Sequence, residues 1–121
     1  METRSKVRTI DAEMLFRDGQ HYQDRHAFAK ALESYERAAA LDPDRTAVHF
    51  RRGLVLSKLG RWAEAVKAYH EVLRLEPEHA ETYLNLGFVY YELGQDQRAQ
   101  DAFERARQLG GLANPSEKMR F

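Results

Sequence analysis

Histidine, serine and carboxylate side chains are the groups in this chain with the means to do chemistry, and their spacing decides whether they do. The histidines are His21, His26, His49, His70 and His79. A metallohydrolase helix needs two of them four apart around a glutamate, and no H-E-x-x-H pair occurs. His21 and His26 are five apart, too far around a helix to share a face. Ser34, Ser57 and Ser116 sit in no glycine elbow and beside no histidine. The glycines stand alone or paired at turns, so no loop cradles a phosphate. There is no cysteine, which removes disulfides, thiolate metal ligands and thiol nucleophiles together. The expectation is a chain that is not an enzyme, with no catalytic residue, no metal site and no cofactor.

The charge balance narrows the partners. Lysine plus arginine number 19, as do aspartate plus glutamate. A nucleic-acid binder needs a basic footprint to displace counterions, and an anionic membrane surface needs the same excess. Arg51, Arg52, Lys58 and Arg61 do form a basic cluster, read either as a solvated edge or as attraction for an acidic partner. No stacking aromatics for RNA interleave with it. Nucleic acid is therefore not expected. No stretch approaches the ~20 apolar residues of a membrane span, and the first residues lead into no signal-peptide core. Membrane insertion is not expected, and the cytoplasm is the expected location.

The elements that would position any binding residue show themselves as a repeat. Gly19, Gly53 and Gly87 are 34 residues apart, and Ala31, Ala65 and Ala99 keep the same step. So do Tyr35, Tyr69 and Phe103, then Leu41, Leu75 and Leu109, then Tyr22, Leu56 and Tyr90. Pro43 and Pro77 follow it once more, with Gly111 in the third place. Self-similarity at such a step marks stacked units whose neighbours complete each other's core. With 43% hydrophobic and 31% charged residues, such a stack can bury a core and keep its outside wet.

Each unit reads as two helices. In the middle one, Val48, Leu54, Val55, Leu56 and Leu59 fall at near-helical steps, Gly60 and Arg61 break them, and Trp62 to Leu75 forms a second stripe. Pro77 stops that stripe, since it lacks the amide proton and disfavours helix at Glu76. The third unit runs from Ala80 to Leu93, turns at Gly94, and runs from Asp96, placed as N-cap, to Leu109. The first runs from Asp11 to Asp24 and from Ala27 to Leu41, with His26 at the corner where the others carry glycine, which suggests a looser turn. Glycine in mid-helix costs about 1 kcal/mol against alanine. Three such glycines in register imply that another helix comes close there.

These residues resemble the tetratricopeptide repeat family, whose 34-residue unit carries a W-x2-L-G-x2-Y…A-x3-F…P signature. Tyr83-Leu84-Asn85-Leu86-Gly87-Phe88-Val89-Tyr90 with Ala99 and Phe103 matches it best. Gly53, Leu56, Gly60, Ala65, Tyr69 and Pro77 repeat it, as do Gly19, Tyr22, Ala31, Tyr35 and Pro43. The resemblance implies an all-α fold, a right-handed α-solenoid of three helix–turn–helix units plus a short C-terminal capping segment. Its expected bounds are a flexible segment over 1–10, repeats over about 12–45, 46–79 and 80–113 within 11–113, and a cap or further helix start over 114–121. Asp18 and Arg52 depart from the pattern, standing where the third unit has Leu86; either they pair across the first interface or both bend into water.

In this family the first helices line a concave groove that holds peptides. By that resemblance the inward side chains are Glu13, Phe16, Arg17, Gln20, Phe50, Arg51, Leu54, Lys58, Leu84, Asn85, Phe88 and Tyr91. A contiguous apolar patch among them, Phe16, Phe50, Leu54, Leu84, Phe88 and Tyr91, is the mark of a binding surface. The alternative is that some of these rings are core. One subgroup grips acidic chaperone tails with lysines and asparagines; its places hold Phe16, Gln20, Arg51, Glu81 and Asn85 here, so that clamp is not expected. The expected function is a non-catalytic scaffold binding a peptide or protein segment. The alternative is a self-associating module, a homo-oligomer whose groove or open end is filled by another copy.

Overall fold

The computed structural model describes residues 2–110. Six helices follow one another: α1 (Glu2–Asp24), α2 (Phe28–Leu41), α3 (Thr46–Lys58), α4 (Trp62–Leu75), α5 (Ala80–Glu92) and α6 (Asp96–Gln108). No strand occurs among the described residues. Each helix packs mainly on its neighbours in the chain, as a stack of hairpins requires. The anticipated cap over 114–121 and the end of the third repeat lie outside the described residues.

The second helix of each pair is the amphipathic one. Ala65, Ala68, Tyr69 and Val72 bury a stripe of α4 at steps of three and four. Ala31, Tyr35 and Ala38 do the same on α2, and Ala99, Ala102 and Ala106 on α6. Small residues on this stripe let the facing helix approach, and the ring beside them fills what is left. A Cβ built on Gly19 would lie 2.6 Å from Cδ1 of Tyr35, and one on Gly53 2.6 Å from Cζ of Tyr69. The same holds at Gly87 against Phe103. The mid-helix glycines therefore mark where an aromatic ring lies flat against the backbone. Burying each ring contributes about 1.5–3 kcal/mol.

The turns inside the repeats share one geometry. His26, Gly60 and Gly94 take φ of 60°, 71° and 74°. The next amides, of Ala27, Arg61 and Gln95, each donate to the carbonyl five residues back at 2.9 Å, closing the helix end. The corner at His26 is thus no looser than the others. A non-glycine residue in this region costs about 1–2 kcal/mol, and the His26 ring lies parallel to Phe28 with centroids 5.5 Å apart. The repeats are separated at Leu41 and Leu75, where Pro43 and Pro77 follow.

Three expectations need correction. Helix α1 begins at Glu2, so residues 2–10 continue the first helix where a flexible segment was anticipated. Nothing between Glu2 and Asp24 stops a helix once started: there is no proline, and each added residue gains a bond. Asp96 is the first helical residue of α6, and Gln95 is its N-cap. Asp18 and Arg52 do not pair. Asp18 is exposed, whereas Arg52 is half-buried and turns to His49, its Nη1 donating to Nδ1 at 3.0 Å. His49 Nε2 in turn donates to the Pro43 carbonyl at 2.7 Å, which fixes its tautomer, and Arg52 Nε is buried without a partner among the described residues.

Candidate functional site

The candidate site is the row of side chains on α1, α3 and α5, backed by the tyrosines of α2 and α4. Phe16 meets Tyr35 with ring centroids 5.8 Å apart, and Phe50, its equivalent one repeat on, meets Tyr69 at 6.0 Å. Both phenol hydroxyls turn to the first helix of their own repeat, at Gln23 and its equivalent Ser57. Tyr35 donates to Gln23 Oε1 at 2.6 Å. Burial pushes the pKa of its phenol up to about 12, the nearby Arg51 charge pulling against that and Asp24 adding to it. Tyr69 is likewise pushed up to about 12 by burial, opposed by hydrogen bonding with Ser57 and Asn85. Position 51 and its equivalent 85 therefore each sit beside a buried hydroxyl of the preceding repeat.

The anticipated groove residues divide by burial. Phe16 and Leu84 are each 8% exposed and belong to the core, not to an open surface. Phe16 is closed over by Arg45, whose guanidinium carbon stands 4.5 Å from its ring centroid. Glu13 holds that arginine at 2.5 Å and Arg17 at 3.3 Å. Gln20, Phe50, Arg51, Leu54, Asn85 and Phe88 are half-buried; Arg17 and Lys58 are exposed, and Tyr91 is 55% exposed. Phe88 rests edge-on against Phe103 at 5.1 Å, so its ring is steered by the same second-helix position that holds Phe50.

Reading the sequence missed the residues that cover the row. Arg45 lies over Phe16, and His79, 34 residues later, lies 5.4 Å from the Phe50 ring. Both are the N-cap of the next first helix, two residues after Pro43 or Pro77. Their shared place in the repeat was the available signal. His79 Nδ1 accepts from the Thr82 amide at 3.3 Å and hydroxyl at 2.7 Å, so one side chain both caps α5 and flanks the groove.

A second concavity lies on the other side of α5. Its volume is about 450 Å³, and His70, Leu73, Tyr83, Leu86, Tyr90 and Asp101 line it. One repeat earlier the place of Leu86 is taken by Arg52 and that of Tyr83 by His49. No three histidine, aspartate or glutamate side chains gather as metal ligands among the described residues. No helix among them is long and apolar enough to cross a membrane. The geometry offers an apolar row with flanking cations and amides.

A family model described as the tetratricopeptide repeat matches residues 44–109, more than half of the chain, and a second TPR repeat model matches residues 19–60. No curated protein matches the sequence. Solved structures superpose well. The first TPR of Spaghetti (RPAP3), bound to the HSP90 peptide SRMEEVD, has a TM-score of 0.85 at 18% identity, covering 93% of this chain and 90% of that one. The Arabidopsis OM64 TPR domain has a TM-score of 0.85 at 17% identity, covering 92% of each chain. MamA has a TM-score of 0.81 at 22% identity; the match covers 93% of this chain and 63% of MamA. At such identities these likenesses establish the fold.

Proposed function

The chain belongs to the tetratricopeptide repeat family, and from that premise we propose that it is a non-catalytic scaffold holding a peptide or protein segment along the face of α1, α3 and α5. The observation that carries this reading is the half-buried run Phe50, Leu54 and Phe88 beside the exposed Tyr91. Apolar side chains left partly open in a row gain from a partner's apolar side chains, each buried methylene contributing about 0.8 kcal/mol. Arg51 and Asn85 stand next to the run, with Lys58 at its edge, and supply donors for a carboxylate or for backbone carbonyls. The ligand is a protein segment, with neither nucleic acid nor a membrane as target, and the cytoplasm is its location.

The Spaghetti domain holds a peptide ending in acidic residues. By repeat register, the places where the chaperone-tail subgroup of the family carries its clamp hold Phe16, Gln20, Arg51, Glu81 and Asn85 here, and Glu81 repels an acidic tail. A peptide with apolar anchors fits better than an acidic one. The test is peptide selection from a random library on the wild type, followed by calorimetry with Leu54→Glu/Tyr91→Ala, whose side chains are not fully buried. Loss of binding at unchanged circular dichroism supports the groove. Undiminished binding by that variant overturns it.

A further inference from the structure

The concavity between α4 and α6 takes no part in the groove. Leu86 and Ala102 are buried at its floor, with Leu73 half-buried beside them. Tyr83 and Tyr90 of α5 wall it, the first donating to the Pro77 carbonyl at 3.3 Å, the second with its oxygen 3.2 Å from His70 Nε2. A volume of about 450 Å³ is in the range of sites that take ligands. The preceding junction, between α2 and α4, shows what such a place accepts. There the position of Leu86 is Arg52, a half-buried cation that the chain itself supplies. The Glu64 carboxyl, held low above all by its hydrogen bond from Arg61, also feels the Arg52 charge. By register the rim of that junction is Glu36, Glu64, Lys67 and Glu71. One repeat on, the three acids become His70, Arg98 and Arg105, and the lysine becomes Asp101.

The partners of these rim residues change as well. Glu64 and Glu71 are paired with Arg61 and Arg74. The equivalents of those two arginines are Gln95 and Gln108, so Arg98 and Arg105 rest on neutral amides, donating to them at 3.1 and 3.4 Å. Neither arginine enters an ion pair among the described residues. Asp101, the one carboxylate lining the concavity, is taken by the Gln97 amide at 3.0 Å. Arg105 stands over the Tyr83 ring, 5.9 Å from its centroid.

We propose that this concavity binds an acidic segment of a partner protein, with an apolar side chain on Leu86 between the tyrosines and one carboxylate at each arginine. Where the rim is acidic the chain provides its own cation; where the rim is basic and the floor is leucine, complementarity calls for an anion from outside. Each guanidinium can hold a carboxylate through paired N–H bonds. A single small acid cannot serve both. Arg98 and Arg105 are seven residues apart on α6, about 10 Å along the helix. An extended chain covers about that distance in three residues, so the pattern is Glu-x-x-Glu with apolar residues between. Asp101, midway along the rim, keeps the carboxylates at the two ends.

This surface and the groove lie on opposite sides of α5, so they can fail separately. The test is nuclear magnetic resonance of the isotope-labelled full chain, titrated to ~1 mM with the terminally blocked peptides Glu-Phe-Leu-Glu and Lys-Phe-Leu-Lys. The acidic peptide should shift the amide signals of Leu86, Tyr90 and Ala102, and the basic one should not. Leu86→Arg, which fills the concavity with the residue of the second repeat, and Arg98→Glu/Arg105→Glu should each weaken binding at least ~10-fold at unchanged circular dichroism. If Leu86→Arg fails to fold, the rim variant, whose side chains are not buried, carries the comparison. That rim variant should take the basic peptide instead, and the groove variant Leu54→Glu/Tyr91→Ala should bind as wild type does. No shift at ~1 mM overturns the proposal. So does equal binding of the basic peptide by wild type, binding that survives the rim variant, or binding lost in the groove variant. Phenylacetate binding as tightly as the acidic peptide overturns it too, since a small acid is then the occupant.

Discussion

Gly53→Ala sets two effects of opposite sign against each other. Alanine in mid-helix is favoured over glycine by about 1 kcal/mol, so on local grounds the substitution stabilises. The structure puts the new Cβ 2.6 Å from Cζ of Tyr69, whereas carbon atoms rest at about 3.5–4.0 Å. The ring cannot step aside. It is 1% exposed, lies 6.0 Å from the Phe50 centroid, and has its hydroxyl beside Ser57 and Asn85. Relief must come from separating α3 and α4, and overpacking of this kind costs about 1–3 kcal/mol. Here it comes on top of the lost ring contacts, so a net destabilisation of about 1–2 kcal/mol is expected, several degrees in Tm. Urea unfolding followed by far-ultraviolet circular dichroism measures it. The cycle is completed with Tyr69→Leu, which is itself destabilising but withdraws the ring. In that background Gly53→Ala should gain stability through helix propensity alone. Refutation would be a wild type stabilised by Gly53→Ala, or an equal effect in both backgrounds; either result means that the ring does not need the missing Cβ.

Other outcomes follow from single contacts. His26→Gly relieves a left-handed residue at φ 60° and loses a stacked ring, and a net gain of about 0.5–1 kcal/mol in urea unfolding is expected. Arg52→Leu gives the second repeat the residue of the third and removes a buried Nε without a partner among the described residues; stability should rise or hold, and a clear drop in Tm would show that the hydrogen bond to His49 outweighs the cost of burying that Nε. The buried phenols of Tyr35 and Tyr69 have pKa values near 12, above the ordinary value near 10. Their stabilisation is complete below pH ~10 and is lost as pH rises through ~12, at most about 2–3 kcal/mol for each. Tyr69→Phe should flatten that alkaline fall in the urea midpoint. Phe50→Ala opens a cavity against Tyr69 and His79 and should lower stability by about 2–4 kcal/mol, which is why the groove is better probed at Leu54 and Tyr91.

The sequence by itself determined the order of the helices and the turns between them, though not where α1 begins. Those features rest on local chemistry: a residue able to take positive φ at 60 and 94, prolines at 43 and 77, and an apolar stripe at helical steps. The equal step of 34 residues then carried one hairpin's packing to the next, so that Gly53 under Tyr69 foretold Gly87 under Phe103. Burial at positions where the repeats differ was decided only in three dimensions. Phe16 and Phe50 share a register, yet one is closed by an arginine held by Glu13 and the other lies half-buried beside a histidine. Arg52 found His49 on its own helix, not Asp18 across the interface. Register states which positions correspond. How open each one is depends on the particular side chain that the neighbouring repeat presents.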